Sequence, residues 1–111
     1  ESLDLELARI LKAVDAAHGV AIITADHGNA DEMYETDKKG GMKKNPDGTP
    51  KAKTSHTLNP VPCILYDNFY SDRYMMKKAD GMGLANVAAT TVNLLGYEAP
   101  SMWCESLIEI R

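Results

Sequence analysis

The chain has 111 residues, of which 44% are apolar and 25% charged, with a formal net charge of -4 at pH 7. That balance is ordinary for one small globular domain with a core, and it removes any bulk electrostatic case for nucleic acid. No apolar run approaches the ~20 residues of a membrane helix, and no charged-then-apolar leader is visible. The two cysteines, Cys63 and Cys104, lack C-x-x-C spacing and read as reduced residues of an intracellular, cytoplasmic protein, a single disulfide being the alternative. Residue 1 is Glu and helical patterning begins at once, so we expect a piece of a longer protein.

Residues 2–18 read as an amphipathic helix. Leu3, Leu7, Ile10, Leu11, Val14 and Ala17 recur at steps of three and four. Ser2 is the expected cap, Asp4 and Glu6 suit the positive end of the helix dipole, and Gly19 is the expected left-handed stop. His18 reads as a surface residue of the last turn. Residues 20–25 are continuously apolar, the pattern of a strand covered on both faces in a parallel sheet.

Residues 28–53 show no sustained apolar period. Met33-Tyr34-Glu35-Thr36 has the composition of a short strand. Gly40-Gly41 and Pro46-Asp47-Gly48 are turn signals, predicting one or two hairpins or an irregular excursion. Lys38, Lys39, Lys43, Lys44, Lys51 and Lys53 read as a solvated face before they read as a phosphate site. Residues 62–66 predict a second strand. Residues 67–82 are mixed, with Arg73-Tyr74-Met75-Met76 a short strand or turn. Residues 83–95 predict a second helix with Leu84, Val87, Ala88, Thr91, Val92 and Leu95 on its apolar stripe and Gly96 as its stop. The tail from residue 101 is expected to pack down, since Trp103 would otherwise expose a large apolar surface. The expected core is Leu7, Ile10, Leu11, Val14, Ile22, Ile23, Ile64, Leu65, Val87 and Leu95.

The chemistry concentrates where the first apolar run stops, at Asp26-His27-Gly28-Asn29. Ligands of open α/β sheets bind outside the carboxyl ends of strands. A carboxylate and an imidazole there suit Mn²⁺ or Zn²⁺. Adjacent strand residues point to opposite faces, so Asp26 and His27 share one ion only if the strand turns, which Gly28 permits. His56, in the polar stretch Thr54-Ser55-His56-Thr57, is the third candidate ligand. Thr24, Asn29, Ser55 and Thr57 are nearby candidates to orient the imidazoles. From spacing alone the Asp-His pair is equally open to a structural, hydrogen-bonded reading.

Thr24-Ala25-Asp26-His27-Gly28-Asn29-Ala30-Asp31 together with Thr54-Ser55-His56-Thr57-Leu58-Asn59-Pro60-Val61-Pro62 resembles the C-terminal part of the cofactor-independent phosphoglycerate mutases, members of the alkaline phosphatase superfamily. Gly83-Leu84-Ala85-Asn86-Val87-Ala88-Ala89-Thr90-Thr91, Leu94-Leu95-Gly96, Pro100 and Ser106-Leu107-Ile108 extend the resemblance through nearly the whole chain. It implies an α/β fold, helices packed on a short, mainly parallel sheet, with residues 1–111 forming a segment of the metal-binding phosphatase-like domain. It implies two metal ions, usually Mn²⁺ with other divalent ions possible, and no 2,3-bisphosphoglycerate. Asp26 and His27 would bind the ion that also contacts a serine nucleophile, and His56 the other. The implied reaction moves a phosphoryl group between the 3- and 2-positions of a phosphoglycerate through that serine.

Departures from the family pattern are equally plain. The serine, the first Asp ligand, the Asp-x-x-x-His pair and the transferase domain are absent from these residues, so the rest of a parent chain is the implied partner, with phosphoglycerate as substrate and no nucleic acid or membrane. On this reading the chain alone is inactive. Trp103-Cys104-Glu105 stands where the family more often has Thr-Gly-Lys, and the loop 38–53 is longer than typical. Two further readings stay open: another member of the superfamily, such as a phosphopentomutase or metal-dependent phosphatase, against which Asn59-Pro60-Val61-Pro62 argues, and a non-catalytic domain with a structural Asp-His pair.

Overall fold

The computed structural model describes residues 1–78 and 80–111; residue 79, inside the mixed stretch 67–82, lies outside the described residues. The chain is α/β. Helix α1 is Ser2–Ala16 and strand β1 Ala21–Thr24; β2 is Cys63–Tyr66, β3 Tyr74–Met76, helix α2 Val87–Leu94 and β4 Ile108–Ile110. β1 and β2 form one two-stranded sheet, β3 and β4 another. The chain divides into two compact units: Glu1–Ile22 with Leu65–Arg111, and Ile23–Ile64.

The first unit begins with α1. Its start differs from expectation: Glu1 is the N-cap, no side chain caps the helix, and Ser2 is already helical. Its end differs too. His18, not Gly19, takes the left-handed conformation, at φ 50°. The N–H of His18 donates to Asp15 O and that of Gly19 to Val14 O. Histidine is among the few non-glycine residues enriched at positive φ. His18 is exposed yet stacks on Phe69, with ring centroids 4.3 Å apart. Gly19 packs beside Val14, where a Cβ would make an ordinary contact of 3.4 Å with Val14 Cγ1. The tie between α1 and the chain after β2 is polar. Tyr66 Oη donates to Asp15 Oδ2 at 2.8 Å, and Asn68 Nδ2 to Asp15 Oδ1 at 3.0 Å. The Asp15 carboxylate raises the Tyr66 phenol above its ordinary pKa.

The core of this unit lies around α2, β3 and β4. Buried apolar residues are Tyr74, Ala89, Leu107 and Ile108. β3 and β4 pair antiparallel, with Tyr74 opposite Ile110, Met75 opposite Glu109 and Met76 opposite Ile108. The tail therefore packs down as expected, but Trp103 does not join it and stays 45% exposed. The second helix starts later than the periodicity predicts, because a 3-10 turn occupies Leu84–Asn86. Its buried face is Asn86, Ala89 and Thr90 rather than the leucine stripe; Leu95 is 68% exposed. The reason is a polar hub. Thr90 Oγ1 donates to Asn86 O at 2.8 Å and accepts from Leu107 N at 2.8 Å and from Ser106 Oγ at 3.4 Å, while Ser106 Oγ accepts from Ile108 N. Buried polar groups must be paired, and these pairings fix which face α2 turns toward β4. Gly96 ends the helix at φ 85°, as expected.

Most of the expected core is only half-buried: Leu7, Leu11, Val14, Ile22, Ile23, Leu65 and Val87 are intermediate, and Ile10, Ile64 and Leu95 are exposed. Periodicity marks a face that needs cover. A two-stranded sheet is only ~5 Å from strand axis to strand axis, too narrow to cover strands that read as two-faced or a 15-residue helix.

The second unit has almost no apolar core and is built from turns. The Lys-rich stretch folds as three short antiparallel bridges, Tyr34 with Ala52, Thr36 with Met42 and Lys44 with Pro50. Three backbone hydrogen bonds run in a ring: Glu35 N to Lys51 O, Lys51 N to Lys43 O, Lys43 N to Glu35 O. The two predicted turns close it, with Gly40 at φ 80° and Gly48 at φ 87°. The Glu35 carboxylate sits over the ring, 3.0 Å from Lys51 Nζ and 3.1 Å from Lys43 Nζ. Those two lysines, Lys51 foremost, hold its carboxyl below the ordinary value.

Candidate metal site

β1 stops at Thr24 and the chain bends at Asp26 before a 3-10 turn at Asn29–Asp31. The bend removes the obstacle that an extended strand would set. Asp26 Oδ1 lies 3.7 Å from His27 Nε2, so both side chains reach the same side. Gly28 is required for space rather than for positive φ, its φ being -98°. A Cβ at residue 28 would come 2.8 Å from Asn59 Cβ and 2.9 Å from Asn59 O. The two histidine-bearing segments therefore touch backbone to backbone at this glycine.

That close approach brings the two histidines together. The rings of His27 and His56 stack with centroids 4.3 Å apart and an interplanar angle of 26°. All three predicted residues thus meet around His27. Their exposure differs: the His27 side chain is 32% exposed and that of Asp26 90%. His27 Nδ1 is buried with no hydrogen-bond partner among the described residues, as is Thr57 Oγ1. The candidates named to orient the imidazoles do not bond to them. Asn29 and Thr57 bond to one another instead, Thr57 N donating to Asn29 Oδ1 at 2.8 Å, and Asn29 Nδ2 donates to Ser55 O at 3.3 Å.

The sequence reading overlooked three contributors. Asn59 Nδ2 reaches Gly28 O and Glu32 Oε2, each at 3.5 Å. Glu32 also accepts a bond from Lys53 Nζ, which is the first reason its carboxyl lies below the ordinary value. Asn59 stood inside a quoted motif and its paired donor and acceptor were the available signal; Glu32 and Lys53 carried none, since a charge in a polar loop is usually solvated.

The chemistry of the donor set suits a divalent ion. Imidazole nitrogen and carboxylate oxygen serve Zn²⁺ and Mn²⁺ alike, and Asp26 Oδ1 stands on the Nε2 side of the His27 ring, the edge an ion shared by the two would use. Among the described residues, no group of three or more His, Cys, Asp or Glu gathers so as to hold one ion by itself. A cavity of about 400 Å³ lies in the first unit, lined by His18, Val20, Ile22, Tyr70, Thr91, Leu94 and Leu95, and holds none of the three candidate ligands.

Residues 1–99 match the family model described as the metalloenzyme superfamily. The chain belongs to that superfamily. Proteins named as phosphoglycerate mutases resemble it over nearly its whole length. A probable 2,3-bisphosphoglycerate-independent phosphoglycerate mutase of Leptospira interrogans is 47% identical over 98% of this chain and 20% of its own length. The 2,3-bisphosphoglycerate-independent phosphoglycerate mutase of Trypanosoma brucei is 46% identical over 99% of this chain and 20% of its own. A crystal structure of Leishmania mexicana phosphoglycerate mutase at low cobalt concentration superposes with a TM-score of 0.85 at 46% identity, covering all of this chain and 20% of that one. The chain therefore spans about a fifth of the length of these relatives. No helix among the described residues is long and apolar enough to cross a membrane.

Proposed function

We propose that this chain is a segment, residues 1–111, of the metal-binding phosphatase-like domain of a 2,3-bisphosphoglycerate-independent phosphoglycerate mutase. The observation that carries the reading is the meeting of the two histidine segments, with His27 and His56 stacked at 4.3 Å. They are 29 positions apart in sequence, and a merely structural Asp-His pair gives no reason for a second imidazole there. Nor does a 3.7 Å Asp26–His27 separation amount to a good hydrogen bond.

On this reading Asp26 and His27 would hold one divalent ion and His56 a second. A division of donors two and one is compatible with the lack of a three-donor group. When bound, a pair of such ions supplies positive charge against the attacking and leaving oxygens of an in-line phosphoryl displacement. The chain's own residues do the remaining work: the bend at Asp26 aims carboxylate and imidazole together, and Gly28 admits the 55–59 loop. Phosphoglycerate as substrate and independence of 2,3-bisphosphoglycerate are parts of the same reading, supported by the relatives' names; manganese and a cytoplasmic setting belong to it through the resemblance of the motifs alone. The serine that would carry the phosphoryl group has no counterpart among these residues.

The test has two arms. In the full-length parent, His27→Ala and His56→Ala should each abolish mutase activity and lower the divalent metal retained after dialysis. The isolated 111-residue chain with added Mn²⁺ should give background turnover, because phosphoryl transfer through an enzyme intermediate needs its nucleophile. Full metal content and activity in His27→Ala would refute the metal role. Turnover by the isolated chain, lost on His27→Ala, would refute its being an incomplete piece.

A further inference from the structure

We infer that Asn29 and Asn59 act as a reciprocal pair of positioning residues that set His56 against His27, an inference that rests on the metal-site reading above. Asn29 follows His27 by two positions, and its carboxamide grips both chain neighbours of His56. It accepts from Thr57 N at 2.8 Å and donates to Ser55 O at 3.3 Å. A side chain that binds the N–H on one side of a residue and the C=O on the other fixes the intervening backbone, and with it the direction in which the His56 imidazole leaves the chain. Asn59, from the opposite segment, returns the grip through Gly28 O and Glu32 Oε2, each at 3.5 Å. Each of the two motifs thus contributes one imidazole and one carboxamide, and each carboxamide holds the other motif's backbone. Gly28, where a Cβ would stand 2.8 Å from Asn59 Cβ, lets the two backbones approach closely enough for both bonds. Asn29 uses its amide as donor and acceptor together, so Asp there keeps the acceptor and loses the donor and Ala loses both; Asn59 acts through Nδ2 as donor alone.

The bonds of both asparagines go to Ser55, Thr57, Gly28 and Glu32 and to none of the three candidate ligands, so the effect should appear as metal affinity and not as lost chemistry. Residues that orient metal ligands through hydrogen bonds typically change affinity by ~10–100-fold when removed. The experiment is isothermal titration of the metal-stripped full-length protein with Mn²⁺ and, separately, Co²⁺. Mutase rate is measured against metal concentration alongside. Asn29→Ala should weaken binding of both metals at least ~10-fold, with the maximal rate restored at saturating metal. Asn29→Asp, which retains the 2.8 Å bond from Thr57, should lose clearly less. Thermal melting of the metal-free protein should be the same for wild type and both variants. Asn59→Ala gives a second, independent reading with the same expected direction. The inference is overturned if Asn29→Ala and Asn59→Ala bind metal like wild type while His27→Ala does not. It is overturned equally if the metal-free melting temperature falls with affinity, which is a general structural role. If His27→Ala and His56→Ala also bind metal like wild type, the site reading itself fails and takes this inference with it.

Discussion

The two compact units are held by opposite means. In the first, Ile108 is 2% exposed and Thr90 likewise, and the order of α2, β3 and β4 follows from filled volume with every buried hydroxyl paired. In the second, Met33, Tyr34, Met42 and Leu58 all lie exposed, and Thr57 and Gly28 are its buried residues. Its shape comes from ringed backbone hydrogen bonds and a carboxylate over two lysines. The difference teaches where function is stored. A volume-filled core tolerates little rearrangement, whereas polar ties leave His56 exposed and the His27 side chain 32% exposed, as the proposed site requires. The first unit should therefore break when atoms are removed, and the second when one is added.

The largest effect is expected at Ile108→Ala. Cutting a buried Ile to Ala costs ~2–5 kcal/mol. Amide hydrogen exchange should accelerate throughout β3, β4 and α2, while the amides of Glu35, Lys43 and Lys51 keep their wild-type rates. Equal acceleration in both units would mean they are not separate cooperative bodies. The second effect runs the other way. Gly28→Ala adds a methyl where Asn59 Cβ and O already stand 2.8 and 2.9 Å away. Crowding of this kind costs ~1–3 kcal/mol. Exchange at Thr57 N should rise and the His27–His56 contact should open, read as a loss of the nuclear Overhauser effect between the two rings. An unchanged ring contact would show that the approach at Gly28 is not what unites the segments. By contrast Met42→Ala, at an exposed apolar side chain, should stay within about 0.5 kcal/mol of wild type by urea unfolding. A larger loss would reveal an apolar core in the second unit.

How much of this was legible in the sequence follows the same division. The helices, β2, the Gly40 and Gly48 turns and the stop at Gly96 were readable, because local dihedral and capping preferences act over a few residues. Asp26, His27 and His56 were readable as a set only through paired motifs; nothing local says that positions 27 and 56 stack. The buried residues were not readable. Periodicity identifies Leu7, Ile10 and Leu11 as a face that seeks cover, but cover is a property of what packs on it. Hence Ile10 stays exposed while Thr90, a poor candidate by hydropathy, is sealed by three hydrogen-bond partners. The left-handed turn fell on His18 rather than Gly19, one residue earlier than the glycine signal places it, at a residue type that tolerates positive φ. The Asn29 and Asn59 ties escaped notice as ties because an asparagine in a polar loop looks the same whether or not it reaches across 28 residues.

The smallest effect concerns Glu35, and it tests whether the polar ring of the second unit responds to charge at all. Lys51 foremost, then Lys43, lower the Glu35 carboxyl below its ordinary value of 4.5. A depressed folded pKa means that the folded state binds its proton less readily than the unfolded chain does. The contribution of Glu35 is therefore fully present above pH 4.5 and is lost as pH falls through the lower, folded value. Nothing should change between pH 7 and pH 5. Below that, protonation removes the acceptor charge from two lysines at once. Both ion pairs are solvent-accessible, so screening keeps the consequence small. Carboxyl-carbon NMR of the wild type should place the Glu35 midpoint beneath 4.5. Glu35→Gln should abolish the low-pH change in the Lys43 and Lys51 amide shifts and leave β3 and β4 untouched. A Glu35 midpoint at or above 4.5 would mean that the lysines are solvated singly. The ring would then be held by its three backbone hydrogen bonds without help from charge.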